Sequence, residues 1–475
     1  MKVKNSIWNV LWALLICSCN SWLDVKLINE SSESELFSTE RGFTEALAGV
    51  YYDMSTSTLY GQNLSFGMLE VMSRTYDYSA IPNGIKIFRD YDYEDASMES
   101  YIYLVWRGLY ANIAAINNIL EWSDRNASVL SEARRSQIKG EALALRAWHH
   151  YDVYRLFAPD VKRGKEVRLP WQGKFGVQAP EVYATADFLG LVIKDLNDAL
   201  QLLENDPIRS VVPYEWGNGE KDNKDQSDQY VARMNYYAAK ALLARVYLGM
   251  GGDYKKEARK LAEEVIESEK FALLDYEKSL KVEEVADKDL LFSDEHIFSL
   301  RNKNIKENAK SRHKQMLDQE GNLQMAGGFQ MSIYEGDFED YRLEWFRNNV
   351  YICKFNSDNS VRFFPKVPLI RLSEMYLIAA EGWLEDDPVH ASELLQTFKQ
   401  SRTSKEVQPQ VVTEEVILQE IRKEFVGEGM LFFAYKRLHH DISGNTADER
   451  KAASDEIFVF PLPEVEYEYG NSTKN

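Results

Sequence analysis

Apolar residues recur at helical spacing along most of the chain. In the segment from Trp106 to Leu120, the side chains of Leu109 and Ile113 continue one stripe. The same period of three to four residues is found at 140–157, 183–203, 235–251, 253–269, 369–385, 390–402 and 414–429. A stripe of this kind is buried when the helix packs on a neighbour. The pattern therefore predicts a mostly α-helical fold.

The predicted helices come in pairs. Gly251 and Gly252 separate helices 235–251 and 253–269, and glycine readily takes the positive φ that ends a helix. Small side chains on the first helix allow close approach of a neighbour: Ala238, Ala241 and Ala244. This unit resembles a tetratricopeptide hairpin. Because the spacing of the pairs is irregular, the chain is not a regular 34-residue array.

Three polar stretches interrupt the helical pattern, at 70–100, 205–230 and 302–330. Long loops in a compact domain are commonly functional. No linker rich in Gly, Ser and Pro divides the chain into independent folds. We therefore predict a single domain over residues 19–475, built as a helical scaffold with inserted loops.

The N-terminus has the features of a bacterial lipoprotein signal. Two lysines precede an apolar run at 7–16, which is far shorter than the ~20 residues needed to span a membrane. Ser18 and Cys19 then form a lipobox-like site. We predict that residues 1–18 are a signal peptide and that Cys19 is lipidated, which anchors the chain to a membrane. Cys17 is an alternative, disfavoured by bulky Ile16, and an ordinary signal peptide is another.

Composition and motifs narrow the function. The chain has 475 residues with 75 Asp and Glu against 56 Lys and Arg, a net charge of -19, which argues against a nucleic-acid partner. Three cysteines make neither a disulfide framework nor a zinc cluster. Metalloprotease, serine-hydrolase and dinucleotide-binding motifs are missing from the sequence. Asp90, Asp92 and Asp95 lack the Gly and Glu of a calcium loop. No catalytic residue, metal or cofactor is predicted.

Charged residues on the late helices have a structural interpretation. Arg371 lies near Glu374 and Glu381 in sequence, and Arg422 lies near Glu424 and Glu428, at separations of two to ten residues. We predict ion pairs or helix capping within the scaffold from these groups, with Arg437 as a further partner, and no catalysis. Arg146 is expected to play the same part.

Several stretches, in this order behind the lipobox, resemble the SusD/RagB family of outer-membrane lipoproteins from Bacteroidetes. The resemblance runs from Cys19 to about Gly470. It is carried by Trp22-Leu23-Asp24, 106–120, Gly140-Glu141-Ala142, Arg146-Ala147, Asp195-Leu196, 235–247, 368–377, Ala380-Glu381, Arg422-Lys423-Glu424-Phe425, Gly427-Glu428-Gly429, Arg437, Phe460-Pro461-Leu462-Pro463 and Glu466.

The resemblance implies a fold and a role. The expected fold is mostly α: four tetratricopeptide-like helix pairs with an inserted, irregular, loop-rich part that carries the ligand site. Members are not enzymes. They sit at the cell surface, lipid-anchored in the outer membrane, as a lid over a SusC/RagA-type TonB-dependent transporter. They capture oligosaccharides or, in some members, peptides. The alternative from the residues alone is a tetratricopeptide-like interaction scaffold in a surface complex.

Aromatic residues on loops are the candidate ligand contacts. Sugar rings stack their C–H faces on Trp or Tyr, and their hydroxyls need polar partners. Loop residues of these types are Tyr76, Tyr78, Asn83, Phe88, Arg89, Tyr91, Trp171, Trp216, Phe329 and Tyr334. For each ring, the competing interpretation is that it packs its loop onto the scaffold. The sequence does not decide between a glycan and a peptide ligand.

Overall fold

A computed structural model describes residues 28–211, 229–283, 288–313, 323–348, 350–355, 365–444 and 449–472. Its helices are α1 (Ile28–Leu36), α2 (Glu40–Met54), α3 (Met68–Met72), α4 (Lys86–Asp90), α5 (Ala96–Arg125), α6 (Glu132–Phe157), α7 (Thr185–Leu202), α8 (Tyr236–Met250), α9 (Tyr254–Ile266), α10 (Tyr276–Ser279), α11 (Ile305–Arg312), α12 (Phe329–Ser332), α13 (Leu372–Trp383), α14 (Pro388–Gln400), α15 (Glu414–Glu424), α16 (Met430–Leu438), α17 (Asp455–Phe458) and α18 (Glu464–Glu468).

Short strands accompany these helices in antiparallel pairs. β1 (Arg168–Trp171) pairs with β2 (Glu181–Ala184), and β4 (Phe346–Arg347) pairs with β5 (Tyr351–Ile352). β3 (His296–Arg301) pairs with β6 (Lys366–Arg371), with irregular register near Phe298. The strands lie in or beside the loop-rich segments, so they brace those segments and do not form a common sheet.

Eight helices form the scaffold as four packed pairs. The pairs are α2–α5, α6–α7, α8–α9 and α13–α14, and α5–α6, α7–α8 and α9–α13 contacts join them in a continuous stack. Stacked helix pairs bury a shared core that no single pair could bury. The predicted mostly α fold is confirmed.

The α8–α9 hairpin forms as its sequence predicts. The side chain of Asn235 accepts a hydrogen bond from the Ala238 N–H and caps α8. Gly251 and Gly252 take φ values of 68° and 55° at the turn. The three alanines of α8 are fully buried. Small side chains and a glycine turn are therefore what bring the two helices together.

Several predicted helices differ at their ends. α5 and α6 begin at Ala96 and Glu132, before the predicted segments 106–120 and 140–157. Residues 366–371 pair as strand β6, so the helix predicted from 369 begins at Leu372. Strand pairing with β3 outweighs the helical periodicity of this short segment. The helix predicted over 414–429 ends at Glu424, because Gly427 and Gly429 have φ values of 77° and 70°. A separate helix, α16, follows.

A buried ion cluster joins the loop-rich segments to the scaffold. It consists of Glu295, Arg371, Arg402, Glu424 and Glu428, whose side chains are almost inaccessible to solvent. Arg371 lies 2.5 Å from Glu424, 2.8 Å from Glu428 and 3.1 Å from Glu295. Arg402 lies 2.8 Å from Glu424. The cluster thereby ties the turn before β3, the end of β6 and the end of α15 into one unit.

The predicted partners of Arg371 are wrong, although the prediction of scaffold ion pairs is right. Glu374 pairs with Arg245 at 2.6 Å, and Glu381 pairs with Arg437 at 2.5 Å. In the described ranges Arg422 forms no ion pair with Glu424 or Glu428. Arg371 is the last residue of strand β6, so its side chain contacts carboxylates from distant segments and not those of the helix that follows. Arg146 pairs with Asp195 at 2.7 Å, as expected of a scaffold residue.

The N-terminal predictions lie outside the part of the chain that the structure covers. Residues 1–18, Cys17 and Cys19 precede the first described residue, Ile28. Within the described ranges, the helices are all too short or too polar to cross a membrane. The single domain over 19–475 stays a prediction.

Candidate functional site

Two of the predicted contact residues from the 70–100 loop belong to the core. Tyr76 and Phe88 have 1% and 2% of their surface exposed. The Tyr76 hydroxyl donates to the Phe66 carbonyl oxygen at 2.6 Å and lies 3.0 Å from His313 Nε2. The expectation that these rings are exposed is wrong. A long loop must bury apolar surface of its own to hold one conformation, and aromatic side chains supply most of it.

Phe329 and Tyr334 are also buried. The ring of Phe329 packs 4.5 Å from that of Phe346, and the Tyr334 hydroxyl donates to the Lys423 carbonyl oxygen at 3.1 Å. The expectation of exposed rings is wrong here for the same reason. Phe329 packs within the segment after residue 323, and Tyr334 fastens that segment to α15.

Three predicted residues come together at one surface. Tyr78, Arg89 and Tyr91 are half-buried, and Asn83 is exposed nearby in the same loop. The guanidinium groups of Arg74 and Arg89 lie 4.6 Å and 4.3 Å from the centroid of the Tyr78 ring. The Tyr91 hydroxyl donates to a backbone carbonyl at 2.6 Å. The Tyr78 ring is thus already engaged by cations, which leaves it less surface for stacking on a sugar.

The last two predicted residues lie elsewhere. Trp171 is half-buried and stacks on His150, with ring centroids 3.8 Å apart and planes 21° apart. It packs β1 against α6, so one of its faces is occupied. Trp216 lies outside the described residues.

An open cleft of about 940 Å³ lies between the end of α2 and the segment that follows β3. We call it the amide cleft. Its lining comes from residues 48–57 on one side and 301–308 on the other, with Gln229 and Ala232 completing it. Ligand sites of small molecules typically enclose roughly 300–1,000 Å³. The cleft therefore has the size of a ligand site.

Hydrogen bonds hold the two walls of the amide cleft together. Asn302 Nδ2 donates to the Ser55 carbonyl oxygen at 2.9 Å, and Asn302 Oδ1 accepts from the Asn304 N–H at 2.9 Å. Asn308 Nδ2 donates to the Gly61 carbonyl oxygen at 3.2 Å. Because side-chain amides cross from one wall to the backbone of the other, the cleft is preformed and not a gap between independent loops.

Tyr51 and Tyr52 stand at the edge of the cleft and behave differently. The Tyr51 hydroxyl donates to Glu141 at 2.6 Å and accepts from the Met234 N–H at 2.8 Å, and burial raises its pKa well above the usual value. The side chain of Tyr52 is 68% exposed. A polar cleft with one free aromatic ring can stack a sugar face and hydrogen-bond its hydroxyls.

The residues of the amide cleft were missed from the sequence. Tyr52 lies in α2, a helix that was not predicted from the sequence, and off the buried stripe of Phe43, Leu47 and Val50. Asn302, Asn304 and Asn308 sit in a polar stretch without a recognisable spacing. The only available signal was that this stretch is an inserted loop. The pairing of α2 with the β3 end is a tertiary contact that no local pattern encodes.

A small scaffold cavity and the acidic side chains are the remaining candidates for a ligand or metal site. A cavity of about 80 Å³ lies inside the scaffold beside Arg245, Glu374, Glu381 and Arg437, whose charges pair with one another. It has room for a few water molecules only. In the ranges that the structure covers, His, Cys, Asp and Glu side chains form no group suited to a metal ion. Asp95 instead caps α5, and Asp90 pairs with Arg89.

Comparisons with known proteins agree with this architecture. Residues 21–214 match the model of the SusD-like_3 family, described as "Starch-binding associating with outer membrane". No curated protein sequence matches the chain.

Solved structures share the fold over nearly the whole chain. A SusD superfamily protein from Bacteroides thetaiotaomicron is 24% identical with a TM-score of 0.73, covering 92% of this chain and 99% of its own. A SusD superfamily protein from Bacteroides fragilis is 20% identical with a TM-score of 0.70, covering 92% and 99%. A SusD-like carbohydrate binding protein from Bacteroides vulgatus is 16% identical with a TM-score of 0.69, covering 92% and 97%.

The solved structures and the family model both indicate similarity to SusD-like proteins. The family match covers the N-terminal part, and the fold match covers both the scaffold and the inserted segments. The resemblance predicted from the sequence is thereby confirmed: residues 21–214 match the SusD-like_3 family, and the chain shares the fold of the SusD superfamily structures.

Proposed function

We propose that this chain is an outer-membrane lipoprotein that binds oligosaccharides at the cell surface and delivers them to a SusC/RagA-type TonB-dependent transporter. The observation that carries the proposal is the SusD-like fold together with a family model described as starch-binding and associating with the outer membrane. Lipidation of Cys19 supplies the anchor. In this role the protein needs no catalytic group, and a peptide ligand is the alternative that the family resemblance leaves open.

The amide cleft is the proposed ligand site. Its volume suits a short oligosaccharide, its amide and hydroxyl side chains match sugar hydroxyls, and Tyr52 offers an exposed ring. The surface of Tyr78, Asn83, Arg89 and Tyr91 is the competing site from the sequence. Its central ring is already held by two guanidinium groups.

Capture of a transporter is the direct test of the proposed role. The tagged lipoprotein, extracted in mild detergent from outer membranes of its host, is expected to carry a stoichiometric TonB-dependent barrel that mass spectrometry identifies. A Cys19→Ala variant, which lacks the anchor, should be lost from the membrane fraction. Recovery without a barrel, together with a periplasm-facing location, would favour the interaction-scaffold alternative.

Truncation of the exposed tyrosine tests the ligand site. Tyr52→Ala is expected to weaken binding of the glycan by about tenfold, because Tyr is among the residues whose truncation at an interface often costs over ~1.4 kcal/mol. Isothermal titration calorimetry on the purified soluble domain measures the change.

Two further tyrosine variants make that measurement decisive. Tyr469→Ala removes a ring that is 79% exposed but does not line the cleft. This variant should therefore bind the glycan with the affinity of the unchanged protein. Tyr78→Ala tests the competing surface. Loss of binding in Tyr78→Ala with normal binding in Tyr52→Ala would move the site to the 70–100 loop.

A further inference from the structure

We propose that the amide cleft selects acidic saccharides, whose sugar rings carry carboxylate or sulfate groups. This inference rests on the proposed function and specifies its substrate class. The cleft is lined by hydroxyl and amide side chains, by the exposed ring of Tyr52 and by two cationic residues, Arg301 and Lys303. That combination suits a ligand with both hydroxyl groups and negative charge.

The charge of the lining is opposite to that of the chain. The protein carries a formal net charge of -19 with 75 Asp and Glu. Among the residues that the structure describes, none of those acids lines the amide cleft. Asp53, on the last turn of α2, is exposed but is not part of the lining. Among the described residues, a lining with cations and no acid on an acidic protein is the arrangement expected of a site for anions.

Lys303 and Asn304 supply donors in the cleft. Both are exposed, and neither side chain has a hydrogen-bond or ion-pair partner within the described ranges. An ammonium group that faces a cleft without a carboxylate neighbour can form a charge-assisted hydrogen bond to an anionic ligand, and such bonds are about twice as strong as neutral ones. The ligand's charged group is therefore placed at the 301–304 wall.

The overall negative charge of the protein does not prevent this selectivity. At physiological ionic strength charges are screened over about 8 Å, so exposed acids farther away than that contribute little at the cleft. Lys303 contributes a positive charge directly at the 301–304 wall. A local cationic site can thus bind an anion on a surface whose summed charge would repel it at low salt.

A saccharide fits this lining better than an acidic peptide does. The lining provides amide and hydroxyl groups in number, and a single exposed aromatic ring at the edge. It offers no apolar pocket for peptide side chains, since the small residues Ala48 and Ala232 are its only aliphatic members in the described part of the chain. An extended peptide would also need a free strand edge for its backbone.

Matched pairs of glycans test the proposal. The probes are oligogalacturonides with their methyl esters, sulfated galactan oligosaccharides with their desulfated forms, neutral maltoheptaose and poly-glutamate. Binding is measured by isothermal titration calorimetry at about 50 mM and about 300 mM NaCl. We expect at least one acidic glycan to bind about tenfold more tightly than its neutral counterpart, and its affinity to fall at the higher salt concentration. The glycan pair that shows this difference in affinity tells whether the cleft prefers carboxylate or sulfate groups.

A lysine variant and its matched control assign the effect to the cleft. Lys303→Ala is expected to weaken binding of the acidic glycan by about tenfold and to leave its neutral counterpart nearly unchanged, because the lost bond is to the charged group. Lys310→Ala makes the same change of charge on α11, where Lys310 pairs with Glu307 outside the cleft. Its affinity for the acidic glycan should stay normal.

Several results would overturn the inference. Equal affinity for each acidic glycan and its neutral form would do so, as would an unaffected Lys303→Ala variant or preference for poly-glutamate. Failure of every acidic glycan to bind also counts against it. Neutral glycan binding that is lost in Tyr52→Ala, without preference for charge, would leave the proposed function standing while this inference falls. Absence of all glycan binding together with absence of a barrel partner would remove both.

Discussion

Replacing Arg371 by alanine is expected to lower the free energy of unfolding by about 3–5 kcal/mol, the cost of breaking a buried ion pair from one side. The Arg371 side chain is 1% exposed and contacts Glu295, Glu424 and Glu428 within 3.1 Å. Without it, three carboxylates remain buried with fewer cations to neutralise them. Urea denaturation followed by circular dichroism and tryptophan fluorescence measures the loss.

An exposed ion pair provides the matched control for that variant. Arg41 pairs with Glu45 one helical turn away, and its side chain is 85% exposed. Arg41→Ala should change the stability by less than about 1 kcal/mol, because exposed pairs contribute little. Similar losses in the two variants would contradict the structural role of the buried ion cluster.

The free energy of unfolding is expected to fall by roughly 3 kcal/mol between about pH 4.5 and pH 7 through one group, Glu70. Burial raises the pKa of this fully buried carboxyl to about 7, even though the N–H groups of Gly427 and Gly429 donate to it. The folded pKa lies above the ordinary value of 4.5. The folded state therefore favours the protonated form, and this contribution is complete below pH ~4.5 and lost as the pH rises through ~7.

A glutamine variant isolates the contribution of Glu70. Glu70→Gln cannot titrate, so the difference in unfolding free energy between the original protein and this variant should change by roughly 3 kcal/mol over the same interval. Urea denaturation at half-unit steps from pH 4.5 to 8 provides the curves. Other buried acids titrate equally in both proteins and cancel in the difference. Parallel curves would show that Glu70 stays in one protonation state.

The buried ion cluster is connected along the chain to one wall of the amide cleft, the proposed ligand site. Glu295 of the buried ion cluster directly precedes β3, and the end of β3 leads into the 301–308 wall of the amide cleft. Glu424 in the cluster closes α15, and Glu70 holds the two glycines that follow that helix. The opposite wall belongs to α2 of the scaffold. The buried ion cluster is thus connected through β3 to one wall of the amide cleft.

The sequence predicted the scaffold well because helices leave a local record. A stripe at three- to four-residue spacing, a capping Asn235 and the glycines at 251 and 252 all act within a few residues of one another. The predictions were wrong where a segment distant in sequence forms the contact. Residues 366–371 became a strand because β3 pairs with them, and Arg371 found carboxylates far from it in sequence.

The prediction that the loop aromatics are exposed was less successful, for a related reason. A loop aromatic such as Tyr76 or Tyr334 has the same sequence signature whether it faces solvent or packs underneath its own loop. Burial depends on what covers the ring, and the covering residues come from other segments. Tyr52 is the reverse case, since it was not predicted as a ligand contact and yet its ring is exposed at the cleft.

The sequence by itself determined the helical class, the approximate positions of most scaffold helices and the SusD resemblance, because these depend on local periodicity and on the order of short motifs. Only the tertiary structure decided which aromatic rings are buried, how the buried charges pair and that residues 48–57 meet 301–308 in a cleft. The physical reason is that burial, ion pairing and cleft shape are set by contacts between segments that are tens to hundreds of residues apart, and such contacts leave no periodic trace in either segment.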